Sequence, residues 1–221
     1  MIVLSMFLAL LPVVVIFYYV YCHDHDPEPM RTTGFAFMWG CLSVAPAFFC
    51  ERAITIESKF LDAFFGIAII EEALKLAMLM LYIWKHKDFN DSFDAIVYSV
   101  TVSLGFAAVE NVMYVFHGGI SVAIARAMFS IPGHATLAIV MGYFFAKAKT
   151  HFYHQRRGKQ YQQLALALLV PTLLHGLFDY ICIMGRQSSE WLITFAIILD
   201  LFCVILMKLS AKMDKPLVQD N

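Results

Sequence analysis

Charge is what this sequence has least of. Asp, Glu, Lys and Arg make up 15% of its 221 residues, against roughly 25% in soluble domains. That scarcity excludes an ordinary water-facing surface, which charged side chains have to cover. The formal net charge is −1, so overall charge implies no nucleic-acid partner and no acidic one. The cysteines exclude as much. Cys22, Cys41, Cys50, Cys182 and Cys203 are odd in number, lie in or beside apolar runs and lack metal-type spacing. Neither a disulfide framework nor a thiolate metal site is expected, and they read as small apolar residues. There is no His-Glu-x-x-His stretch, and no serine or cysteine beside a plausible base within an apolar run. Serine- and cysteine-type catalysis are therefore poor candidates. No internal repeat, low-complexity tract or linker is present. The first apolar run, Ile2 to Val20, has no basic segment before it and no small-residue cleavage site. It reads as a retained span rather than a signal peptide.

What the sequence has is apolar length. Hydrophobic residues make up 61% of it, and the mean hydropathy is +0.71. A chain of this size cannot bury that much apolar surface in a soluble core, so lipid must take the remainder. A spanning helix needs about 20 apolar residues. Seven stretches qualify, at about 2–21, 33–50, 61–84, 93–116, 119–147, 161–184 and 190–208. They predict an all-α polytopic membrane helix bundle of about seven transmembrane helices, within a range of six to eight, forming one domain over 1–221. The fifth stretch contains Ser130-Ile131-Pro132-Gly133, a combination that breaks or restarts helices, which leaves residues 119–131 to span, to re-enter or to lie in the interface. With the N-terminus outside, only Arg52, Lys59 and Arg186 of the loop lysines and arginines fall on the outer side. The positive-inside bias thus predicts N-out and C-in.

Ionisable groups inside hydrocarbon cost a few kcal/mol each and by default mark function. This chain has Glu71, Glu72 and Lys75 on the third stretch, Glu110 on the fourth, Arg126 and His134 on the fifth, His175 and Asp179 on the sixth, and Asp200 on the seventh. At about 1.5 Å per residue, Glu71, Glu110, Arg126, His175 and Asp179 all come out roughly 7 to 13 Å below the outer surface. One shared site in the outer half of the bilayer is the economical reading. Glu71 and Lys75, spaced i,i+4, share a helix face, whereas Glu72 is expected to point about 100° away. His175 and Asp179 have the same spacing, so the aspartate is expected to take one ring nitrogen and leave the other for a substrate or metal. Phe106 and Glu110 share a face, with Gly105 allowing close helix contact.

Taken singly, each feature has a plainer reading. Glu71–Lys75 reads as an ion pair joining helices, and His175–Asp179 as an interhelical hydrogen bond. Asp200, with no evident partner, reads as structural. The His23-Asp24-His25-Asp26-Pro27-Glu28-Pro29 loop tempts a metal reading, but alternating His and Asp ending in prolines reads better as a stiff, solvated connection. The cluster weighs more than its members. Two adjacent glutamates in a dry site suit a division of acid and base roles. A water polarised by Glu71, with His175 donating to a tetrahedral oxyanion, would suit peptide hydrolysis. The competing arrangement makes His175, Glu110 and Glu71 or Glu72 ligands of a divalent metal such as zinc, with Asp179 orienting the imidazole. The same polar cluster would also serve a proton- or ion-coupled transporter, or a non-catalytic membrane binding or immunity protein.

Glu71-Glu72-Ala73-Leu74-Lys75, Phe106-Ala107-Ala108-Val109-Glu110 and His175-Gly176-Leu177-Phe178-Asp179, in that order on separate spans, resemble the motifs of the PrsW family of intramembrane proteases. The early Asp26-Pro27-Glu28-Pro29 and the Arg126 to Pro132-Gly133-His134 stretch look similar too. The resemblance covers nearly the whole chain. It implies an intramembrane endopeptidase with Glu71, Glu72 and His175 catalytic and Lys75, Phe106, Glu110, Arg126, His134 and Asp179 in support. It also implies extracytoplasmic, site-1-type cleavage of a membrane-anchored, anti-sigma-factor-like protein. More distantly, the motifs are similar to those of the CAAX-processing and bacteriocin-immunity peptidases (EExxxR, FxxxH and HxxxN). Here Lys75 stands one residue early, Glu110 replaces a histidine and Asp179 an asparagine. Losing that histidine shifts weight onto His175 or His134, or towards a metal. A glutamic mechanism would need no cofactor.

Overall fold

The computed structural model describes residues 2–184, 189–212 and 216–217, and every extended element among them is a helix apart from a single bridge between Asp91 and Pro216. Helix α1 is Ile2–Tyr21 and α2 is Met30–Ala53. The third helix, α3 (59–83), is continuous but interrupted twice by wide π-type turns, Asp62–Ala68 and Leu79–Ile83, which flank the regular segment Ile69–Met78. Such turns gather at functional positions because they re-aim side chains relative to the helix before them. The next helical run, Asp94–Tyr153, is far too long to be one span at about 1.5 Å per residue. It reverses at Gly118-Gly119, where Gly119 takes φ 69° and ψ −156°, a conformation that side chains resist. The result is an antiparallel pair, α4 (94–118) and α5 (120–153). The chain closes with α6 (Arg157–Met184) and α7 (Ser189–Lys212).

The register of that pair is set by three cross-contacts. Gly142 lies against the Ala95 carbonyl, Ser103 donates to the His134 carbonyl at 3.0 Å, and Arg126 donates to Asn111 at 2.6 Å. Residues 120–130 are therefore helical and packed on the end of α4. The other close approach joins α2 to α4: a Cβ on Gly40 would strike the Val102 carbonyl, and one on Gly105 the Phe37 carbonyl. Small residues let the backbones touch, as membrane helices require in the absence of a hydrophobic drive between them. Around this centre α1 and α2 pack on α4, α6 packs on α5 and α3, and α7 packs on α5.

Large apolar side chains, among them Phe7, Val14, Phe49, Leu81, Phe116 and Ile198, stay exposed on the outside of the bundle. Lipid is the solvent that accepts them. Helices α1, α2 and α6 and the run forming α4 and α5 are long and apolar enough to cross a membrane; α3 has the length but carries Glu71, Glu72 and Lys75 at its middle. At the end opposite Gly119, the 84–93 connection folds over α5. Phe89 stacks on Phe145 with centroids 5.5 Å apart, and the Lys149 ammonium donates to the Trp84 carbonyl.

Two expectations change here. The His23–Pro29 connection is not wholly solvated: Asp24 and Glu28 are buried and share a cluster with Asp94 in which the carboxylates approach within 4.8 Å. Tyr98 donates to Glu28, and the Asn90 and Asp91 amides donate to Asp94. Asp200 has a partner after all. Thr136 of α5 donates to it at 3.1 Å, tying α7 to the bundle. Cys22, Cys41, Cys50 and Cys182 are free thiols. Arg186, used in the orientation count, and the Cys203 side chain lie outside the described residues.

Candidate active site

Four helices bring their ionisable residues to one place, and the segment Ile69–Met78 of α3 is its centre. Glu71, Glu72 and Lys75 are buried there. The Lys75 ammonium lies 3.1 Å from Glu71 Oε2 and 2.8 Å from Glu72 Oε1. Helical spacing alone set Glu72 apart. In the folded chain a long lysine stem reaches both its i−3 and its i−4 neighbour, so one ammonium bridges the adjacent carboxylates. Its third contact is His134 Nδ1 at 3.2 Å, and it lies over the Phe106 ring, 4.5 Å from the centroid. Buried in this way, an ammonium needs every one of these partners.

The network continues in both directions. Because lysine can only donate, His134 Nδ1 accepts and its Nε2–H faces Glu110 Oε2 at 2.9 Å. Glu110 is also paired with Arg126 Nη2 at 2.7 Å. Arg126 is aimed by Asn111, which takes its Nε–H and donates in turn to the Ala9 carbonyl of α1 at 2.8 Å. On the other side, His175 Nδ1 donates to Glu72 Oε1 at 2.9 Å. His175 Nε2 lies 3.4 Å from Asp179 Oδ2 and 3.9 Å from Glu71 Oε2. Thus Glu72, rather than Asp179, fixes the imidazole. Along the network Arg126, Glu110, His134, Lys75, Glu72, His175 and Asp179, every acid stands beside a cation or an imidazole, and the one link without an acid joins His134 to Lys75.

This network lines the inner part of a cavity of about 710 Å³. Glu71, His134 and His175 face into it while Glu72 and Lys75 lie behind its wall. Its sides are largely apolar, with Val44, Phe106, Met113, Phe129 and Phe178 among them. Arg52, Tyr114 and His117 are exposed members of its lining and mark the mouth, with the partly buried Glu51 beside Arg52. That combination, a few convergent polar groups beneath apolar walls, suits an apolar chain whose backbone must be reached.

The nine candidate residues that the family resemblance implies (Glu71, Glu72, Lys75, Phe106, Glu110, Arg126, His134, His175 and Asp179) all stand in or against this network, whereas Asp200 does not. Two contributors were missed. Asn111 is completely buried, and its signal was simply a second polar residue next to Glu110 in an apolar run. Glu51 was missed because it lies near a helix end, where acids are ordinary. Its position four residues beyond the buried Ala47, on the stripe Ala36, Gly40, Val44 and Ala47, was the available clue.

The donor set can be weighed against a metal ion. Glu71, Glu72, His134 and His175 each bring one ligand atom to within 4.8 Å of the others. Two imidazoles and two carboxylates fit a zinc-type ion in kind and number. This set contains Glu72 and His134, whereas Glu110 lies behind His134 as its hydrogen-bond partner. Lys75 already contacts three of the four residues, so an ion and the ammonium would share the same carboxylates.

Comparison with known proteins agrees with the motifs. The family described as PrsW family intramembrane metalloprotease matches residues 28–207. A Protease PrsW from Oceanobacillus iheyensis is 38% identical over 199 residues, covering 88% of this chain and 87% of that protein. The Protease PrsW of Bacillus subtilis is 32% identical over 186 residues, 82% of each chain, and that of Clostridioides difficile 37% identical over 146 residues, 64% of this chain and 58% of its own. No solved structure matches. With its motifs on separate helices and its sequence alike over most of its length, this chain belongs to the PrsW family of intramembrane proteases.

Proposed function

We propose that this peptidase cleaves a membrane-anchored protein on its extracytoplasmic side, with Glu71 as the base, His175 as the electrophilic partner and Glu72 as the group that fixes His175. The observation that carries the reading is the junction of Glu71 and His175 at the cavity wall, 3.9 Å apart, with Lys75 and Glu72 fixing both from behind. A carbonyl and a water brought to this junction meet a carboxylate that can take the water's proton and an N–H that can donate to the developing oxyanion. The water's oxygen bonds to the carbonyl carbon. Glu71 then passes the proton to the leaving amine as the C–N bond breaks, leaving a new carboxyl and a new amino terminus. Arg126 and Glu110 position His134, and Asp179 steers the outer face of His175. A divalent ion, if bound, would be held by Glu71, Glu72, His134 and His175, and would polarise the carbonyl and acidify the water.

Orientation supports the extracytoplasmic side. The cavity mouth lies at the end bearing Arg52 and the Gly119 turn, and the lysines and arginines of 147–159 crowd the opposite end. The family likeness extends this to an anti-sigma-factor-like substrate. The test is cleavage of a membrane-anchored reporter by the purified protein in nanodiscs, with metal content measured on the same sample and a chelator present in parallel. Glu71→Gln and His175→Ala should each lower cleavage by about a hundredfold or more while the protein remains folded. Full activity in both variants defeats the proposal. Activity that follows metal content assigns the water to the ion, and activity that survives exhaustive chelation assigns it to the glutamates.

A further inference from the structure

Beyond the residues of the proposed reaction, one carboxylate in this cavity has no role. Glu51 is the last member of the inward-facing stripe of α2 and stands in the cavity wall near its mouth. Among the described residues it makes neither a hydrogen bond nor an ion pair. It shares the lining of the cavity with Glu71, Glu110 and Asp179, three carboxylates of its own sign, and with the His134 and His175 imidazoles. The nearby cations are engaged elsewhere. Arg126 is bound to Glu110 and Asn111, Lys75 to Glu71 and Glu72, and the exposed Arg52 lies over Phe48, 4.4 Å from the ring centroid. A carboxylate in a mostly apolar wall and an acidic field is a poor structural element. It becomes a good one when a cation arrives from outside.

We propose that Glu51 is a specificity-determining residue that receives a lysine or arginine side chain of the substrate, flanking the scissile bond on its extracytoplasmic side. This rests on the peptidase reading of the same cavity. Helix geometry fixes the distance. Val44 packs against Phe106, whose ring faces Lys75, so Val44 marks the level of the network. Glu51, seven residues on, is about 10 Å nearer the mouth. An extended peptide covers that distance in about three residues. The subsite therefore lies about three residues outward from the bond that Glu71 and His175 would open. A basic residue there also suits a span that has just left the hydrocarbon, where lysine and arginine stems reach back along apolar walls.

The test reads binding first and cleavage second. An apolar membrane-spanning peptide carries lysine at each of six successive positions along its extracytoplasmic flank, with glutamine and glutamate versions of each. Affinity is measured on the full-length Glu71→Gln protein in nanodiscs, which retains the cavity without turnover. The expected profile has one lysine position bound about tenfold more tightly than its glutamine counterpart, a difference of about 1.4 kcal/mol. Adding Glu51→Gln flattens that peak, and Glu51→Lys transfers the preference to the glutamate peptide at the same position. With the wild-type protein, the difference appears in KM, with kcat changed less than about twofold. A flat profile, an absence of binding, or a lysine peak unchanged by Glu51→Gln overturns the proposal. Wild-type protein that binds with the lysine peak and cleaves none of the peptides defeats the peptidase reading alone.

Discussion

The two ends of this bundle both bury carboxylates, and they do so in opposite ways. Toward the cavity, Glu71, Glu72 and Glu110 meet Lys75, Arg126 and the imidazoles of His134 and His175, so each of these acids has a cation or an imidazole against it. Toward the far end, Glu28 and Asp94 take their hydrogen bonds from a tyrosine hydroxyl and backbone amides, which are neutral. The first arrangement lets charged groups persist under apolar walls and presents some of them to a cavity. The second favours a Glu28 carboxyl that keeps its proton, and it closes a loop over helix ends. Burial of acids by itself thus says little about function. What separates the two regions is the supply of compensating charge and the access to open space.

The comparison can be broken most directly through activity. Glu71→Gln or His175→Ala should lower reporter cleavage by about 10²- to 10⁴-fold, the usual contribution of a positioned acid or base. Asp94→Asn should leave the rate within a few-fold, and equal losses at both ends would erase the distinction. Stability sharpens it next. Lys75→Met strands two buried carboxylates and should cost about 3–5 kcal/mol, seen as a large fall in the thermal midpoint of the detergent-solubilised protein. A midpoint within a degree or two of wild type would show that Lys75 is not compensating them.

A smaller effect distinguishes the far end by pH. Burial is the first cause that pushes the Glu28 carboxyl up to about 7 from its ordinary 4.5, with Asp24 and Asp88 adding to the rise and Tyr98 opposing it. The folded protein then keeps a proton that the unfolded chain releases, so this residue's contribution to stability is full below about pH 4.5 and is lost as pH rises toward 7. Glu28→Gln should remove that loss. Its thermal midpoint should exceed the wild-type value at pH 8 and converge with it at pH 4, and parallel curves across the range would contradict the assignment. The smallest effect concerns α7. Asp200→Asn keeps an acceptor for Thr136 and should cost no more than about 1 kcal/mol, whereas Thr136→Val, which leaves Asp200 without that donor, should cost more.

Much of this was legible before any coordinates. Apolar runs of the right length gave helices close to those found, because a backbone in hydrocarbon must satisfy its hydrogen bonds internally and the helix does so locally. The candidate site was legible for a related reason: ionisable residues in such runs are costly, so Glu71, Lys75, Glu110, Arg126, His134, His175 and Asp179 stood out by type, and five of them by depth as well. The pairings were not. Spacing assigned Asp179 to His175 and set Glu72 aside, whereas Glu72 of α3 reaches across to α6 for that imidazole. The buried state of Glu28 and the partner of Asp200 were equally invisible, since each is a contact between segments far apart in the chain. The sequence by itself determined that there would be apolar helices and which residues would be out of place in them, because transfer into lipid is a property of each residue and its immediate run. Only the tertiary structure decided which acid meets which base, because that depends on how α3, α4, α5 and α6 rotate and slide against one another, and contacts such as the Gly40–Val102 approach fix those rotations one interface at a time.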